Sequence, residues 1–176
     1  IAVTKTHSAE TVLEAISGGI KHFGENRVQE AYNKFWSLKT IHKDISLHMI
    51  GPLQTNKVKK ALEIFDFFHS LDRESLAVEF SKYSDIIKSK SFFIQVNTGK
   101  EKQKSGILPN LTSEFIQYCI HTLKLNIIGL MCLPPIQDDP RPHFLELNEL
   151  AMKNKLKQLS MGMSSDYKIA IDSGAT

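Results

Sequence analysis

The sequence is poor in the residues that build disulfide-linked, metal-binding or membrane-spanning proteins. Among its 176 residues are two cysteines, Cys119 and Cys132, which form no C-x-x-C or other metal-ligand spacing. Both lie among apolar residues, as expected of buried thiols in a reducing compartment. No apolar run approaches the ~18 residues of a membrane-spanning helix, and no charged-then-apolar signal segment begins the chain. The sequence therefore predicts a cytoplasmic protein with no disulfide, no metal and no membrane partner.

The sequence also has no strong excess of charge of either sign. The 22 basic and 19 acidic residues are spread along the chain and leave a formal net charge of +3. The densest basic cluster, Lys57, Lys59 and Lys60, is typical of the solvated face of a helix and not of a surface that follows a phosphate backbone. Signature motifs for P-loop, dinucleotide, metalloprotease and serine hydrolase sites are also missing. We therefore expect no nucleic-acid partner and no site of those kinds.

Seven strand-like segments alternate with helical ones along the chain. The spacing of apolar residues predicts strands at 1–5, 20–24, 46–50, 64–71, 91–96, 126–133 and 158–162. Between them, apolar residues recur at three- and four-residue spacing, which is typical of helices packed on a sheet. Strict βα repetition of this kind requires parallel strands joined by right-handed crossovers.

Seven such units in evenly sized steps favour an α/β fold of the (β/α)8 TIM-type barrel. Gly174 ends the seventh predicted helix at the point where an eighth strand is due. The chain is long enough for one domain with a sizeable core, so we expect a single barrel domain over residues 1–176. Typical barrels have ~250 residues, and this one would be compact. A doubly wound open sheet, which also uses parallel strands, is the structural alternative.

A lysine ends the first predicted strand. In "IAVTKTHSAE" the apolar residues precede Lys5, and Ser8 is a good N-cap for the helix that follows. Lys5 is therefore expected at the carboxyl end of a strand, the edge at which parallel α/β sheets bind ligands. Position alone leaves two interpretations open, a working amine or an ordinary solvated lysine.

The segment "SMGMSSD" predicts an anion-binding turn after the seventh strand. Gly162 permits an unusual backbone turn, and Ser164, Ser165 and Asp166 are expected to begin a helix. Free backbone amides at a helix start, together with a serine hydroxyl, can bind an anion. A plain Ser/Asp N-cap is the alternative.

Three other polar residues occur near predicted strand ends. Asn26, in "FGEN", could bind a ligand oxygen or cap the next helix. His48, in "LHMIGPLQTNK", is either a ligand contact or a hydrogen-bonded core histidine. Lys104, in the charged loop "NTGKEKQKSG", is either a solvated surface residue or part of a rim that attracts phosphate.

A lysine amine that faces an anion site across a barrel mouth is what a phosphorylated aldehyde requires. The amine can form a Schiff base with the aldehyde carbon, while backbone amides and a hydroxyl hold the phosphate. The combination therefore predicts pyridoxal 5'-phosphate (PLP) as the ligand.

Six blocks of the sequence add a family resemblance to this prediction. They are "AVTKTHS", "FGENRVQEA", "LHMIGPLQTNK", "KSGI", "GLMCLP" and "LSMGMSSDYKIAIDSGAT". In order and spacing they resemble the pyridoxal phosphate homeostasis protein family over nearly the whole chain. The resemblance implies a barrel of fold type III, similar to the N-terminal barrel of alanine racemase. It also implies that the N-terminal helix and the eighth strand of the family, with its "R-I-G" block, are lacking from these 176 residues.

The same resemblance implies which residues bind the cofactor. Lys5 matches the Schiff-base lysine of the family, Asn26 the asparagine beside the cofactor, and Ser164 the serine near the phosphate. Met163, next to it, is implied as a backbone or ring contact, and His48 matches the histidine of the "H-x-I-G" block. Lys104, on the "K-S-G" lysine, is implied as a rim residue that guides or transiently holds the cofactor.

The implied function is to bind PLP and contribute to its intracellular homeostasis by storage, delivery or buffering, without sustained catalysis. PLP-dependent apoenzymes are the partners that a delivery role implies, and a monomer is expected. Two other functions stay open. One is a PLP-dependent amino-acid racemase of fold type III, in which Lys5 also acts as a base. Such racemases add a β-rich domain with an opposite-face base, which is not expected here. The other is a barrel that binds a different sugar or nucleotide phosphate.

Overall fold

Seven parallel strands form one sheet in strict chain order in the computed structural model, which describes residues 1–176. Each strand pairs with its neighbours in sequence, for example through Phe23 opposite Leu47 and Leu130 opposite Leu159. The predicted alternation of strands and helices is confirmed. The strands are β1 (Ala2–Val3), β2 (His22–Glu25), β3 (Ser46–Met49), β4 (Phe67–Leu71), β5 (Ser91–Val96), β6 (Ile127–Cys132) and β7 (Gln158–Ser160).

Most of the strands are shorter than the sequence pattern predicts. The clearest difference is at β4, for which the pattern gives residues 64–71. Ile64 instead ends the preceding helix, because the N–H of Phe65 donates to the carbonyl of Ala61 at 2.9 Å. Apolar residues continue from the helix into the strand, so hydrophobicity alone does not mark this boundary.

The helices follow the strands and supply the outer layer. Ser8 caps the first helix as predicted, its hydroxyl accepting the N–H of Thr11. None of the helices is long and apolar enough to cross a membrane. They are α1 (Ala9–Ser17), α2 (Val28–Ile41), α3 (Val58–Ile64), α4 (Glu74–Ser81), α5 (Ser84–Ile87), α6 (Pro109–Gln117), α7 (Pro140–Lys153) and α8 (Tyr167–Asp172), with a 3-10 turn at Thr55–Lys57 and a π turn at Tyr118–Thr122.

Alternate strand residues face these helices and form the core. Phe23 of β2 packs on Phe35 of α2 with ring centroids 5.6 Å apart. Phe68 of β4 packs edge-on against Phe80 of α4 at 4.8 Å. All four rings are buried. Because successive side chains of a strand point to opposite faces, the residues on either side of Phe23 and Phe68 face the other side of the sheet.

That other face is concave, and polar side chains meet across it. Nδ1 of His69 on β4 lies 2.7 Å from Oγ of Ser160 on β7, although β5 and β6 lie between the two strands. Three strand spacings would separate such residues by about 14 Å in a flat sheet. The sheet therefore curls as in a TIM-type barrel, and the predicted fold class is confirmed. The sequential strand order has no reversal point, so the doubly wound alternative is wrong.

Candidate functional site

Lys5 lies at the carboxyl end of β1, where the sequence places it. Thr4, just before it, still belongs to the β1–β2 ladder, since its N–H donates to the carbonyl of Gly24 at 3.0 Å. The Thr4 hydroxyl is turned towards the helix layer, where it bonds to Glu25. Lys5 itself lies in the turn that follows the strand, in which the N–H of His7 donates to the Thr4 carbonyl at 3.1 Å. Lys5 is exposed, and its Nζ makes no hydrogen bond or ion pair with another residue.

Charged side chains of β2 and α2 contact the backbone on both sides of Lys5, at Thr4 and at Thr6. Nζ of Lys34, on α2, lies 2.8 Å from Glu25 Oε1, 3.3 Å from Glu30 Oε1 and 2.8 Å from the Thr4 carbonyl oxygen. Glu25 is fully buried. Sequence reasoning missed this group of side chains, which we call the α2 clamp (Glu25, Glu30 and Lys34). One signal for it was present, the four-residue spacing of Glu30 and Lys34 on a helix.

The loop after β7 is longer than predicted, because the helix that follows it begins later in the sequence. Gly162 has a φ of +93°, the left-handed backbone that the sequence led us to expect. The helix, however, begins at Tyr167 and not at Ser164, because residues 164–166 form a separate turn. Close packing is a second reason why glycine stands at this position, since a Cβ at Gly162 would lie 2.7 Å from Cβ of Ala170. The residues predicted to bind an anion therefore lie in a loop and not in the first turn of a helix.

Several donors of this loop are free. The backbone N–H groups of Ser164 and Ser165 have no acceptor within the chain, and the Ser164 side chain is exposed. The Met163 N–H is not free, because it donates to Oδ1 of Asp166 at 2.5 Å. The Met163 side chain is about half exposed, at 48%. An anion would therefore meet two serine amides and a hydroxyl beside one aspartate carboxylate.

Asn26 follows β2 at the same edge of the sheet as Lys5. The helix-capping interpretation does not hold, because the N-cap of α2 is Arg27 and no side chain caps it. The half-buried Asn26 side chain makes no hydrogen bond within the chain, so its amide is free to bind a ligand. The backbones of Asn26 and Gly51 pack closely against each other, since a Cβ at Gly51 would lie 2.8 Å from Cα of Asn26.

His48 lies deeper, within β3, and both of its ring nitrogens are already engaged. Nε2 is 3.0 Å from Nδ1 of His22, and Nδ1 is 2.9 Å from Nε2 of His69. The ring also stacks on Phe67, with centroids 4.4 Å apart. Burial, with the neighbouring His69 and His22, lowers the pKa of His48 to about 3. A cofactor contact by His48 stays a prediction.

His48 belongs to a longer series of hydrogen-bonded side chains that sequence reasoning did not find. His22, His48, His69 and Ser160 are hydrogen-bonded in series across the concave face, from β2 to β7. Burial lowers the pKa of His69 to about 4. Both buried rings are therefore neutral near pH 7, each with one donating and one accepting nitrogen.

Lys104 lies in the loop after β5, where the sequence places it. Its Nζ is 2.6 Å from Oε2 of Glu101, so the amine is paired. The loop is held by Asn97, whose side-chain amide donates to the carbonyls of Glu101 and Lys104 at 2.8 and 3.3 Å. Lys104 therefore differs from Lys5, whose amine has no partner in the chain.

Together the fold and the site define a class of protein. The curled sheet of seven parallel strands in chain order, with helices on its outer side, is an α/β barrel fold. A family model described as "Alanine racemase, N-terminal domain" matches residues 1–174. The solved alanine racemase of Clostridium difficile 630 shares this fold, with a TM-score of 0.59 over 97% of this chain and 41% of that one at 12% identity.

More similar relatives narrow the class. The pyridoxal phosphate homeostasis protein of Aquifex aeolicus is 38% identical over 188 residues, covering 100% of this chain and 81% of the relative. That of Vibrio cholerae is 36% identical over 187 residues, covering 100% and 79%. The chain belongs to the pyridoxal phosphate homeostasis protein family, and the predicted resemblance is confirmed.

Solved structures agree with this placement. PipY of Synechococcus elongatus PCC7942, with PLP bound, is 34% identical and superposes with a TM-score of 0.86 over 100% of this chain and 86% of PipY. The same protein without PLP gives a TM-score of 0.90 over 99% of this chain and 86% of that one.

Proposed function

We propose that this chain binds PLP through a Schiff base at Lys5 and contributes to the supply of the cofactor in the cytoplasm, by storage, delivery or buffering, without sustained catalysis. The observation that carries the proposal is the unpaired amine of Lys5 at the ligand-binding edge of the barrel. The PLP-bound structure of PipY and the names of the curated relatives support the choice of cofactor.

The residues present fit this cofactor. Lys5 would hold the cofactor through its amine, by a C=N bond to the aldehyde carbon formed with loss of water. The amides of Ser164 and Ser165 and the Ser164 hydroxyl can donate to the phosphate. Asn26 offers both a donor and an acceptor near Lys5. When bound, the cofactor supplies an electron sink for carbanion chemistry.

Met163 and His48 complete the proposed binding set. Met163 precedes the donors of the β7 loop, and its half-exposed side chain can cover part of a bound ring. His48 belongs to the hydrogen-bonded concave face, so we assign it a supporting contact with the cofactor. Lys104, being paired with Glu101, is assigned to the rim and not to the primary site.

The names of the curated relatives, which are homeostasis proteins, support binding and release over catalysis. The fold shared with alanine racemase at 12% identity gives no support for racemase activity. We further propose that residues 1–176 act as one cofactor-binding unit and a monomer, with PLP-dependent apoenzymes as recipients.

The proposal is tested by trapping the adduct. The protein is incubated with PLP and reduced with sodium borohydride, which converts the C=N bond to a stable amine, and the modified peptide is mapped by mass spectrometry. We expect the label on Lys5, and we expect Lys104→Ala to leave it there. Recovery of the label mainly on Lys57 or Lys104 would overturn the assignment of Lys5.

A further inference from the structure

We propose that the α2 clamp positions Lys5, by holding the backbone groups immediately before and after it. This inference rests on the proposed function, since it concerns how the amine is presented to the cofactor. Glu25, Glu30 and Lys34 touch neither the amine of Lys5 nor the proposed donors of the β7 loop. They are therefore positioning residues and not catalytic ones.

The carbonyl before Lys5 is fixed by Lys34. Its Nζ donates to the Thr4 oxygen at 2.8 Å and is itself held by Glu25 Oε1 at 2.8 Å. The Lys34 side chain is only 8% exposed, and that of Glu25 is fully buried. Burying two charges costs more than their attraction returns unless the geometry is good and further hydrogen bonds satisfy them. Here Thr4 supplies two such bonds, one through its carbonyl and one from its hydroxyl to Glu25 Oε1, while Glu25 Oε2 is buried with no partner.

The amide after Lys5 is fixed by Glu30. The N–H of Thr6 donates to Glu30 Oε1 at 2.8 Å, and the same oxygen is 3.3 Å from Nζ of Lys34. Thr6 has a φ of +68°, a left-handed conformation that is unfavourable for a β-branched residue. Such a conformation persists only where the surroundings determine it, and two contacts hold it here, the bond to Glu30 and the turn bond from the His7 N–H to the Thr4 carbonyl at 3.1 Å. The clamp therefore fixes the chain direction on both sides of Lys5.

The test compares variants that release the clamp with a matched lysine on the same helix. Lys39 also lies on α2 and also holds a carbonyl and a carboxylate, those of Ile64 and Asp66, at 2.8 and 2.6 Å. It is remote from Lys5 in the fold. Lys39→Met therefore reproduces the loss of an anchoring lysine without releasing Lys5.

The first measurement is the rate at which PLP becomes covalently attached at Lys5, followed by reductive trapping. We expect Glu30→Ala and Lys34→Met to slow attachment about tenfold, as expected when a reacting group is misplaced. Glu30→Gln, which keeps an acceptor for the Thr6 N–H, should recover most of the rate, and Lys39→Met should match the wild type. Binding of pyridoxine 5'-phosphate, which has no aldehyde, should change little in any variant. Wild-type attachment rates in both Glu30→Ala and Lys34→Met would overturn the inference.

If Lys34→Met does not fold, Glu30→Ala decides alone, since Glu30 is only partly buried. Hydrogen exchange of the Thr6 amide in the ligand-free protein is the second readout. Faster exchange in Glu30→Ala than in Lys39→Met supports the clamp, and equal exchange contradicts it. A wild-type protein that takes no label at Lys5 would instead disprove the proposed function, whatever the exchange data show.

Discussion

His48 and His69, on neighbouring strands of the sheet, share a hydrogen bond of 2.9 Å between Nδ1 and Nε2. Each ring bonds through its other nitrogen as well, His48 to His22 and His69 to Ser160. A neutral imidazole has one donor and one acceptor, so neutral rings can make every bond of the chain, and burial disfavours their charged forms. This relationship links the protonation of two buried histidines to the stability of the fold.

We predict that stability falls in acid more steeply than the carboxylates alone explain. The folded pKa values of His48 and His69 are lowered to about 3 and 4 from 6.5. The unfolded chain therefore binds more protons than the folded one between those values, and stability rises with pH across that window. The contribution is complete above about pH 6.5 and is lost as pH falls towards the folded pKa values. Each histidine adds a slope of at most about 1.4 kcal/mol per pH unit.

Urea unfolding of the wild type and of His69→Gln from pH 4 to 7.5 measures this slope. The variant should lose about 1–3 kcal/mol at pH 7, because buried partners lose a hydrogen bond, but should show a shallower dependence on pH. His121→Gln, which changes an exposed histidine, is the control and should keep the wild-type slope. Identical slopes in all three proteins would show that the buried histidines are not linked to folding.

We predict that the phosphate supplies much of the affinity for the cofactor. Hydrogen bonds to a charged group contribute about 1.5–3 kcal/mol each, so pyridoxal should bind at least about tenfold more weakly than PLP. Ser164→Ala should weaken PLP binding by less than this, since the amides of Ser164 and Ser165 remain. Absorbance titrations measure both effects, with the exposed, remote Ser89→Ala as control. Equal affinity for pyridoxal and PLP would exclude the β7 loop as a phosphate site.

We predict that Gly51→Ala displaces Asn26 and so disturbs the proposed cofactor site. The new Cβ would lie 2.8 Å from Cα of Asn26, a distance at which one of the two backbones must move. Overpacking of this kind costs about 1–3 kcal/mol, and the shift of Asn26 should also weaken PLP binding. Gly18→Ala, whose Cβ would meet nothing closer than 3.4 Å, should be neutral or slightly stabilising in thermal melts. Unchanged melting and binding in Gly51→Ala would mean that the ends of β2 and β3 can separate freely.

We predict no substantial turnover of amino acids. Incubation of the PLP-loaded protein with a panel of L-amino acids, followed by chiral chromatography, should yield no sustained formation of D-isomer, keto acid or amine. The reason is that the protein must orient the reacting bond and place bases on it, which cofactor binding alone does not do. Turnover near the ~10 per second typical of enzymes, lost in Lys5→Ala, would establish the racemase alternative.

Much of the fold could be predicted because its signals are local. The apolar spacing located all seven strands, and Ser8 and Gly162 marked a helix cap and a left-handed turn that the structure confirms. Element ends were less predictable, since apolar residues run through boundaries such as the one at Ile64. The start of α8 at Tyr167 was also missed, because Ser164 and Asp166 suit a turn as well as a cap.

The sequence by itself determined the βα repetition, the barrel class and the place of Lys5, because these depend on residues close together along the chain. Only the tertiary structure decided what surrounds Lys5 and what fills the concave face. Lys34 reaches the carbonyl of Thr4 across 30 positions, and His69 meets Ser160 across 91. Such contacts depend on strand register and on the curl of the sheet, which arise from the packing of the whole chain and have no local pattern in the sequence.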